Sequence, residues 1–251
     1  MIALKSKREI EMMREAGAIL QEVFKGVQPI VKPGITTDEM DALSEKIIRQ
    51  AGGEPAFKGY RGFPKTACIS VNEEVVHGIP GNRKLKEGDI VTLDIGAKLK
   101  GYYADAARTW PVGKVSEGAM RLIETAKGAV EAGLAAYRPG CRIGDLSEGI
   151  QKYIEGRGYQ VVRDYVGHGI GRSIHEEPQV PNYGRAGRGP KIEPGLVLAI
   201  EPMVTEGDYA VDVLEDGWTV VTRDGKLASH YEDDFAFTED GFINLTGGDS
   251  H

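Results

Sequence analysis

The sequence predicts an α/β fold of the α+β kind. Two copies of one helix–helix–strand unit should pack around a pseudo-twofold axis, with their strands in one curved, mostly antiparallel sheet covered by helices. Two internal matches predict it. Lys32-Pro33-Gly34 and Arg138-Pro139-Gly140 each stand between two helical stretches, 106 residues apart from Gly34 to Gly140. The runs Glu87–Asp94 and Pro194–Glu201 each lead from a glycine into an apolar strand that reaches a carboxylate, and Gly88 and Gly195 lie 107 residues apart. Single helix–strand units are common enough to match by chance. Two separate features at nearly one offset favour duplication. No Pro-, Ser- or Gly-rich linker separates the halves, so residues 1–251 read as a single domain with halves of about 1–115 and 116–251.

The elements follow in order. Ser6 caps the first helix with Glu9 in the capping-box position, and Ile10, Met13, Gly17, Leu20 and Phe24 fall on one face at spacings of three and four. Pro29, Pro33 and Gly34 end it. The second helix starts at Thr36 with Glu39 in the box, carries Met40, Leu43 and Ile47 on one side, and stops at Gly52-Gly53. A third runs from about Ser116 to Pro139-Gly140, and a fourth carries Leu146, Ile150 and Ile154 as far as Gly156. Residues Tyr183 to Lys191, rich in Gly and Arg, read as a surface loop.

Composition narrows the function. A hydrophobic content of 41% and a charged content of 27% suit a globular chain with a sizeable core. A net charge of −7 argues against a nucleic-acid partner, and short basic runs such as Arg83, Lys84 and Lys86 read as solvated loop. The two cysteines, Cys68 and Cys141, lack the spacing of a disulfide framework or a thiolate zinc site. No signal-like apolar run opens the chain and none approaches the ~18 residues of a membrane span, so a soluble cytoplasmic protein without membrane contact is expected.

The informative residues are carboxylates that interrupt apolar strands. Asp94 closes Ile90-Val91-Thr92-Leu93, and Glu201 closes Leu196-Val197-Leu198-Ala199-Ile200. A buried carboxylate costs several kcal/mol unless paired or bound to a metal. At equivalent points of a duplicated unit the two should face each other near the pseudo-axis, where repulsion raises a pKa or demands a cation. Asp105 lies eleven residues after Asp94 beyond a Lys100-Gly101 turn, as on the return strand of a hairpin. Glu232 opens an alternating strand, and His168 stands between Gly167 and Gly169, which leave the imidazole room to approach a site closely. Singly, each has an ordinary structural role. Four carboxylates and one imidazole together suit two divalent cations with a bridging carboxylate, favouring Mn, Fe(II) or Co, with Zn possible.

Seven strings in order carry a resemblance: Val76-His77-Gly78-Ile79-Pro80, Asp94-Ile95-Gly96, Tyr103-Ala104-Asp105, Gly167-His168-Gly169-Ile170-Gly171, Ile174-His175-Glu176-Glu177-Pro178, Ala199-Ile200-Glu201-Pro202-Met203 and Tyr231-Glu232. Together, over about residues 3 to 245, the chain resembles the type I methionine aminopeptidases. That resemblance implies the pita-bread (creatinase/aminopeptidase-like) fold and removal of the N-terminal methionine from nascent proteins when the second residue is small. It implies that Asp94 holds one ion, that Asp105 and Glu232 bridge two, and that His168 and Glu201 complete the second position. Glu201 would also shuttle the proton of an attacking water. His77 would hydrogen-bond near the scissile nitrogen, and His175 would donate to the carbonyl oxygen. Tyr60, Phe63, Cys68, Ile174 and Trp218 would line the methionine pocket, where a thioether packs well. A monomer with transient ribosome contact is implied as well.

Two positions depart from that pattern: Asp233 stands where the family usually has His, and His230 where it usually has Gln. Asp233 should point away from the metals if Glu232 faces them, and it puts metal tuning rather than catalysis in question. The rival readings are an Xaa-Pro aminopeptidase or prolidase, a catalytically dead binding protein of the same fold, and a dinuclear phosphoesterase. The first usually carries an extra N-terminal domain, the second should have lost ligands, and the third lacks a Lys or Arg within the ligand motifs.

Overall fold

Helices and hairpins form where the local signals place them. The computed structural model describes residues 2–247; Met1 and residues 248–251, the ends of the expected 1–251 domain, lie outside the described residues. Helix α1 (Lys7–Val27) starts at Ser6, whose hydroxyl accepts from the Glu9 amide while the Glu9 carboxylate accepts from the Ser6 amide. Helix α2 (Thr37–Gln50) repeats the device with Thr36 and Glu39. Four strands and a fifth follow: β1 (Glu54–Pro55), β2 (Ala67–Val71), β3 (Glu74–Val76), β4 (Ile90–Leu99) and β5 (Tyr102–Pro111). Then come α3 (Glu117–Ala135), capped by Ser116, and α4 (Ile143–Glu155), whose Asp145 accepts from the Arg142 amide. The rest is β6 (Gln160–Val161), β7 (Gly167–Gly169), β8 (Glu176–Val180), β9 (Val197–Ile200) and β10 (Met203–Thr205). It closes with β11 (Val211–Val213), β12 (Val220–Thr222), β13 (Ala228–His230), β14 (Asp233–Thr238) and β15 (Gly241–Asn244).

The expected curved sheet is assembled from four antiparallel ladders. β4 takes β5 along one side, and β2 then β1 along the other. The largest ladder runs β15-β14-β9-β7-β8, and two small ones run β13-β10-β6 and β11-β12-β3. The two largest meet where Ala107 and Glu232 exchange backbone hydrogen bonds of 3.1 and 3.3 Å.

Side-chain alternation then assigns the faces. On β4, Val91, Leu93, Ile95 and Ala97 join Leu20, Val23, Met40 and Ile48 of α1 and α2 in one apolar cluster. On β9, Leu198 and Ile200 join Leu122, Ala126, Leu146 and Ile150 of α3 and α4 in another. Each helix pair thus covers its own sheet, and burial of each such side chain is worth about 1.5–3 kcal/mol. The alternate positions, Asp94 on β4 and Glu201 just past β9, face away from the helices. Asp94 differs from expectation in one respect: β4 runs on five residues beyond it to Leu99, whereas Pro202 follows Glu201 directly.

Gly17 shows how closely the chain packs. A Cβ there would lie 2.0 Å from the Leu245 carbonyl oxygen, because the segment after β15 crosses α1 at this residue. In an exposed helix Gly→Ala gains about 1 kcal/mol. Here Gly17→Ala is predicted to destabilise by about 1–3 kcal/mol, read as a lowered urea midpoint at unchanged m-value; a raised midpoint would contradict the close approach.

Candidate metal centre

The hairpin of β4 and β5 places the first two carboxylates. Lys100 and Gly101 both have positive φ, 52° and 85°, which suits a tight two-residue turn and sets the register. Asp94 then pairs with Ala107 and Asp105 with Gly96, so both carboxylates leave the same face. Both are buried, and each has an Oδ1 with no hydrogen-bond partner.

His168 comes from the largest ladder, on β7. Its flanking glycines answer a backbone need rather than giving the imidazole room. A Cβ at Gly167 would lie 2.4 Å from the Ala199 carbonyl, and one at Gly169 would lie 2.3 Å from the Glu177 carbonyl. The short β7 is squeezed between β8 and β9. Nδ1 of His168 lies 2.9 Å from the Gly169 carbonyl oxygen. That contact places the proton on Nδ1 and leaves the Nε2 lone pair free, the tautomer a metal ligand needs. Glu201 presents Oε1 to this Nε2 at 3.5 Å. Glu232 sits at the bridge between β5 and β14, its carbonyl held by Arg108 at 2.6 Å.

Five expected ligands therefore converge from both halves of the chain. One ligand atom each of Asp105, His168 and Glu232 lies within 4.8 Å of the others. Burial raises the carboxyl of Asp94 well above its ordinary range, with Asp105 adding to the effect. Asp105 is pushed up to about 7, chiefly by burial. Glu201 and Glu232 are raised by burial and by the neighbouring carboxylates. Burial lowers His77 and His168 to about 4, so both imidazoles are neutral near pH 7. Unpaired carboxylate oxygens beside a neutral imidazole fit a divalent cation by donor type.

A cavity of about 160 Å³ opens over the carboxylates, the size that admits a benzene-scale apolar group. Tyr60, Phe63, Cys68, His77, His175 and Trp218 line it with Asp94, Asp105, His168, Glu201 and Glu232. Ile174 lies behind this wall, packed with Phe57, Phe63 and Cys68. The Phe63 and Trp218 rings meet edge to face at 5.1 Å. Nδ1 of His175 lies 2.8 Å from the Tyr60 hydroxyl, and its ring sits 4.3 Å from that of His168. His77 adopts a left-handed φ of 61°, and a Cβ on the next residue, Gly78, would lie 2.3 Å from the Ile69 carbonyl. Phe57 and Arg61 also line the cavity and were not expected. Phe57 could have been found as the aromatic residue just ahead of Tyr60, whereas Arg61 carries no sequence signal.

The two departures behave differently. Asp233 points away as expected: it takes Arg108 at 2.6 Å, Thr246 at 2.7 Å and Asn244 at 3.1 Å. Arg108 also holds the Glu232 carbonyl, so this ion pair braces the backbone beneath an expected ligand. His230 points inward, Nε2 lying 3.7 Å from Glu201 Oε2. Asp234, a carboxylate the sequence did not mark, is fully buried and accepts from the Asp105 amide at 2.9 Å.

The sequence profile of metallopeptidase family M24 matches residues 11–239. The chain belongs to metallopeptidase family M24. It is 50% identical to methionine aminopeptidase 1 of Bacillus subtilis over 246 residues, covering 98% of this chain and 99% of that protein. Its fold matches methionine aminopeptidase from Rickettsia prowazekii with a TM-score of 0.97 at 40% identity, covering 98% of this chain and all of that one. Prolidase from Pyrococcus furiosus matches with a TM-score of 0.80 at 25% identity, but the match spans only 66% of that longer chain. The architecture is thus the pita-bread fold of the M24 family, and the family's chemistry uses divalent metal. No helix among the described residues is long and apolar enough to cross a membrane.

The raised carboxyl pKa values set a pH dependence for the metal-free M24 chain. A group whose folded pKa is raised contributes stability present below its unfolded value and lost as pH rises through its folded value. Above about pH 7.5 the histidines, whose unfolded pKa is about 6.5, are almost wholly neutral in both states and drop out. From about pH 7.5 to 8.5, then, the metal-stripped protein should lose thermal stability, because Asp94, Glu201 and Glu232 hold protons that the unfolded chain has already released. Saturating Mn²⁺ should flatten that fall. A melting temperature that rises with pH in the stripped protein would contradict the assignment.

Proposed function

We propose that the chain is a methionine aminopeptidase that removes the N-terminal methionine from nascent proteins and peptides when the second residue is small. The observation that carries this reading is one cavity in which an aromatic, thiol-bearing wall adjoins four buried carboxylates and an imidazole. Near-full-length likeness to methionine aminopeptidases supports it over the prolidases, whose chains extend well beyond the match.

Asp94, Asp105, His168, Glu201 and Glu232 would hold two divalent ions, of Co, Mn, Fe(II) or Zn, with Asp105 and Glu232 shared. When bound, the ions supply Lewis acidity, lowering the pKa of water and offsetting charge that develops on oxygen. The chain's own groups do the rest. Glu201 Oε1 faces His168, which leaves Oε2 to take a proton and deliver it to the departing amine. In the tautomer whose Nδ1 accepts from Tyr60, His175 has its Nε2–H free to donate to the scissile carbonyl oxygen. Burial lowers its pKa, with Arg61 adding to the shift, so the ring donates as a neutral imidazole. His77, also neutral, would fix the scissile amide nitrogen. Phe63, Cys68 and Trp218, with Tyr60 at the rim and Ile174 behind, would enclose the methionine side chain. Burial raises the Cys68 thiol well above its usual value, so it stays a neutral, apolar contact.

We read residues 1–251 as one catalytic domain and the protein as a cytoplasmic monomer meeting new N-termini, with transient ribosome contact. The substrate class, the N-termini of new chains, supports the last points.

Release of methionine from Met-Gly-Met-Met, with Ala-Pro peptides untouched, is expected once a divalent metal is added to stripped protein. Cleavage confined to Xaa-Pro bonds would overturn the reading. Glu201→Ala should lower kcat by at least about 10²-fold, measured with metal content verified; near-normal turnover with metal bound would remove Glu201 from the proton-transfer role.

A further inference from the structure

His230 has a buried imidazole for which the centre described above has no use. Its ring is 1% exposed, and neither Nδ1 nor Nε2 has a hydrogen-bond partner. A buried polar group left unpaired costs about 1–3 kcal/mol, so two such atoms on one ring call for an explanation. The backbone gives the ring no escape. The His230 amide donates to the Thr109 hydroxyl at 3.2 Å, that hydroxyl donates back to the His230 carbonyl at 2.8 Å, and His230 pairs with Met203 across β13 and β10.

Nε2 points at two carboxylates, 3.7 Å from Glu201 Oε2 and 3.9 Å from Glu232 Oε2. These gaps are too long for hydrogen bonds. They are close to the separation of two donor atoms sharing one cation, each at roughly 2.1 Å from it. Glu201 itself supplies the comparison. Its Oε1 stands 3.5 Å from Nε2 of His168 and its Oε2 stands 3.7 Å from Nε2 of His230, so one carboxylate lies between two imidazoles at matching distances. One ligand atom each of Glu201, His230 and Glu232 lies within 4.8 Å of the others, as do those of Asp105, His168 and Glu232.

Charge leaves room for another cation. Asp94, Asp105, Glu201, Glu232 and Asp234 are all buried together, and Asp234 Oδ1 is also unpartnered. Arg108, whose guanidinium meets the Glu232 carbonyl, is committed to Asp233. Five carboxylates exceed the four positive charges of two divalent ions.

We propose that Glu201, Glu232 and His230 form an additional divalent-cation position, of the transition-metal class that an imidazole and two carboxylates select. It rests on reading Asp94, Asp105, His168, Glu201 and Glu232 as metal ligands. With three donors, two of them shared, it fills after the two positions completed by Asp94, Asp105 and His168. Occupancy engages Glu201 Oε2, the oxygen free for proton transfer, so this position governs whether the base is available.

The test is a zinc titration of metal-stripped, ¹⁵N-histidine-labelled protein followed by long-range ¹H–¹⁵N spectra, with calorimetry on the same material. The His168 Nε2 resonance should move with the early equivalents and the His230 Nε2 resonance with a later one. H230Q should abolish that later equivalent while keeping the early ones; should this variant fail to fold, the wild-type spectra alone decide. A His230 resonance unmoved at zinc saturation, or an unchanged stoichiometry in H230Q, overturns the proposal. Methionine release measured in parallel separates the two readings: inactivity while zinc is on His168 and not yet on His230 counts against the aminopeptidase alone, whereas release that falls as the His230 resonance moves is the result the proposal expects.

Discussion

The cost of burying carboxylates beside one another, out of water, is the constraint around which this protein is organised. Asp94, Asp105, Glu201, Glu232 and Asp234 lie in one buried region, and no lysine or arginine side chain is paired with any of them among the described residues. An uncompensated buried charge costs several kcal/mol, so the folded chain either holds protons there or holds cations. The rest of the structure keeps those groups from moving apart. The paired β4 and β5 strands fix Asp94 against Asp105, the β5–β14 bridge fixes Glu232 against both, and the ladder through β9 and β7 fixes Glu201 against His168.

That rigidity depends on features with no chemistry of their own. Gly167 and Gly169 let β7 pass between two neighbours at distances that a side chain would forbid. The Arg108–Asp233 pair, with Thr246 and Asn244, ties β15 and the residues just beyond it to the backbone that presents Glu232. Two helix pairs, one on each sheet, bury the apolar faces and leave the opposite faces to meet at the charges. Preorganisation of this kind makes an electrostatic site effective, because the donors need not move when charge develops.

Much of this was legible in the chain. Capping boxes at Ser6 and Thr36, glycine stops and the helical spacing of Leu146, Ile150 and Ile154 are local signals, and local hydrogen bonds decide them. Asp94 and Glu201 were visible because charge inside an apolar strand is costly, and Asp105 because a Lys-Gly turn fixes a return strand. What stayed hidden depends on contacts between distant segments. Arg61 and Phe57 at the cavity, Asp234 behind Asp105 and the inward turn of His230 come from the docking of one sheet on another. The purpose of the glycines around His168 was misread for the same reason, since the crowding comes from β8 and β9.

The most direct test of the central claim is a count of the protons released when metal binds. Calorimetric titration of stripped protein near pH 7 would be run in two buffers of different ionisation enthalpy. If burial, with repulsion adding to it, keeps protons on these carboxyls, binding should release at least one proton per chain, and release should diminish once Asp105 and Glu232 are both replaced by their amides. Binding with no proton release would mean that the carboxylates tolerate one another fully ionised, contradicting the account.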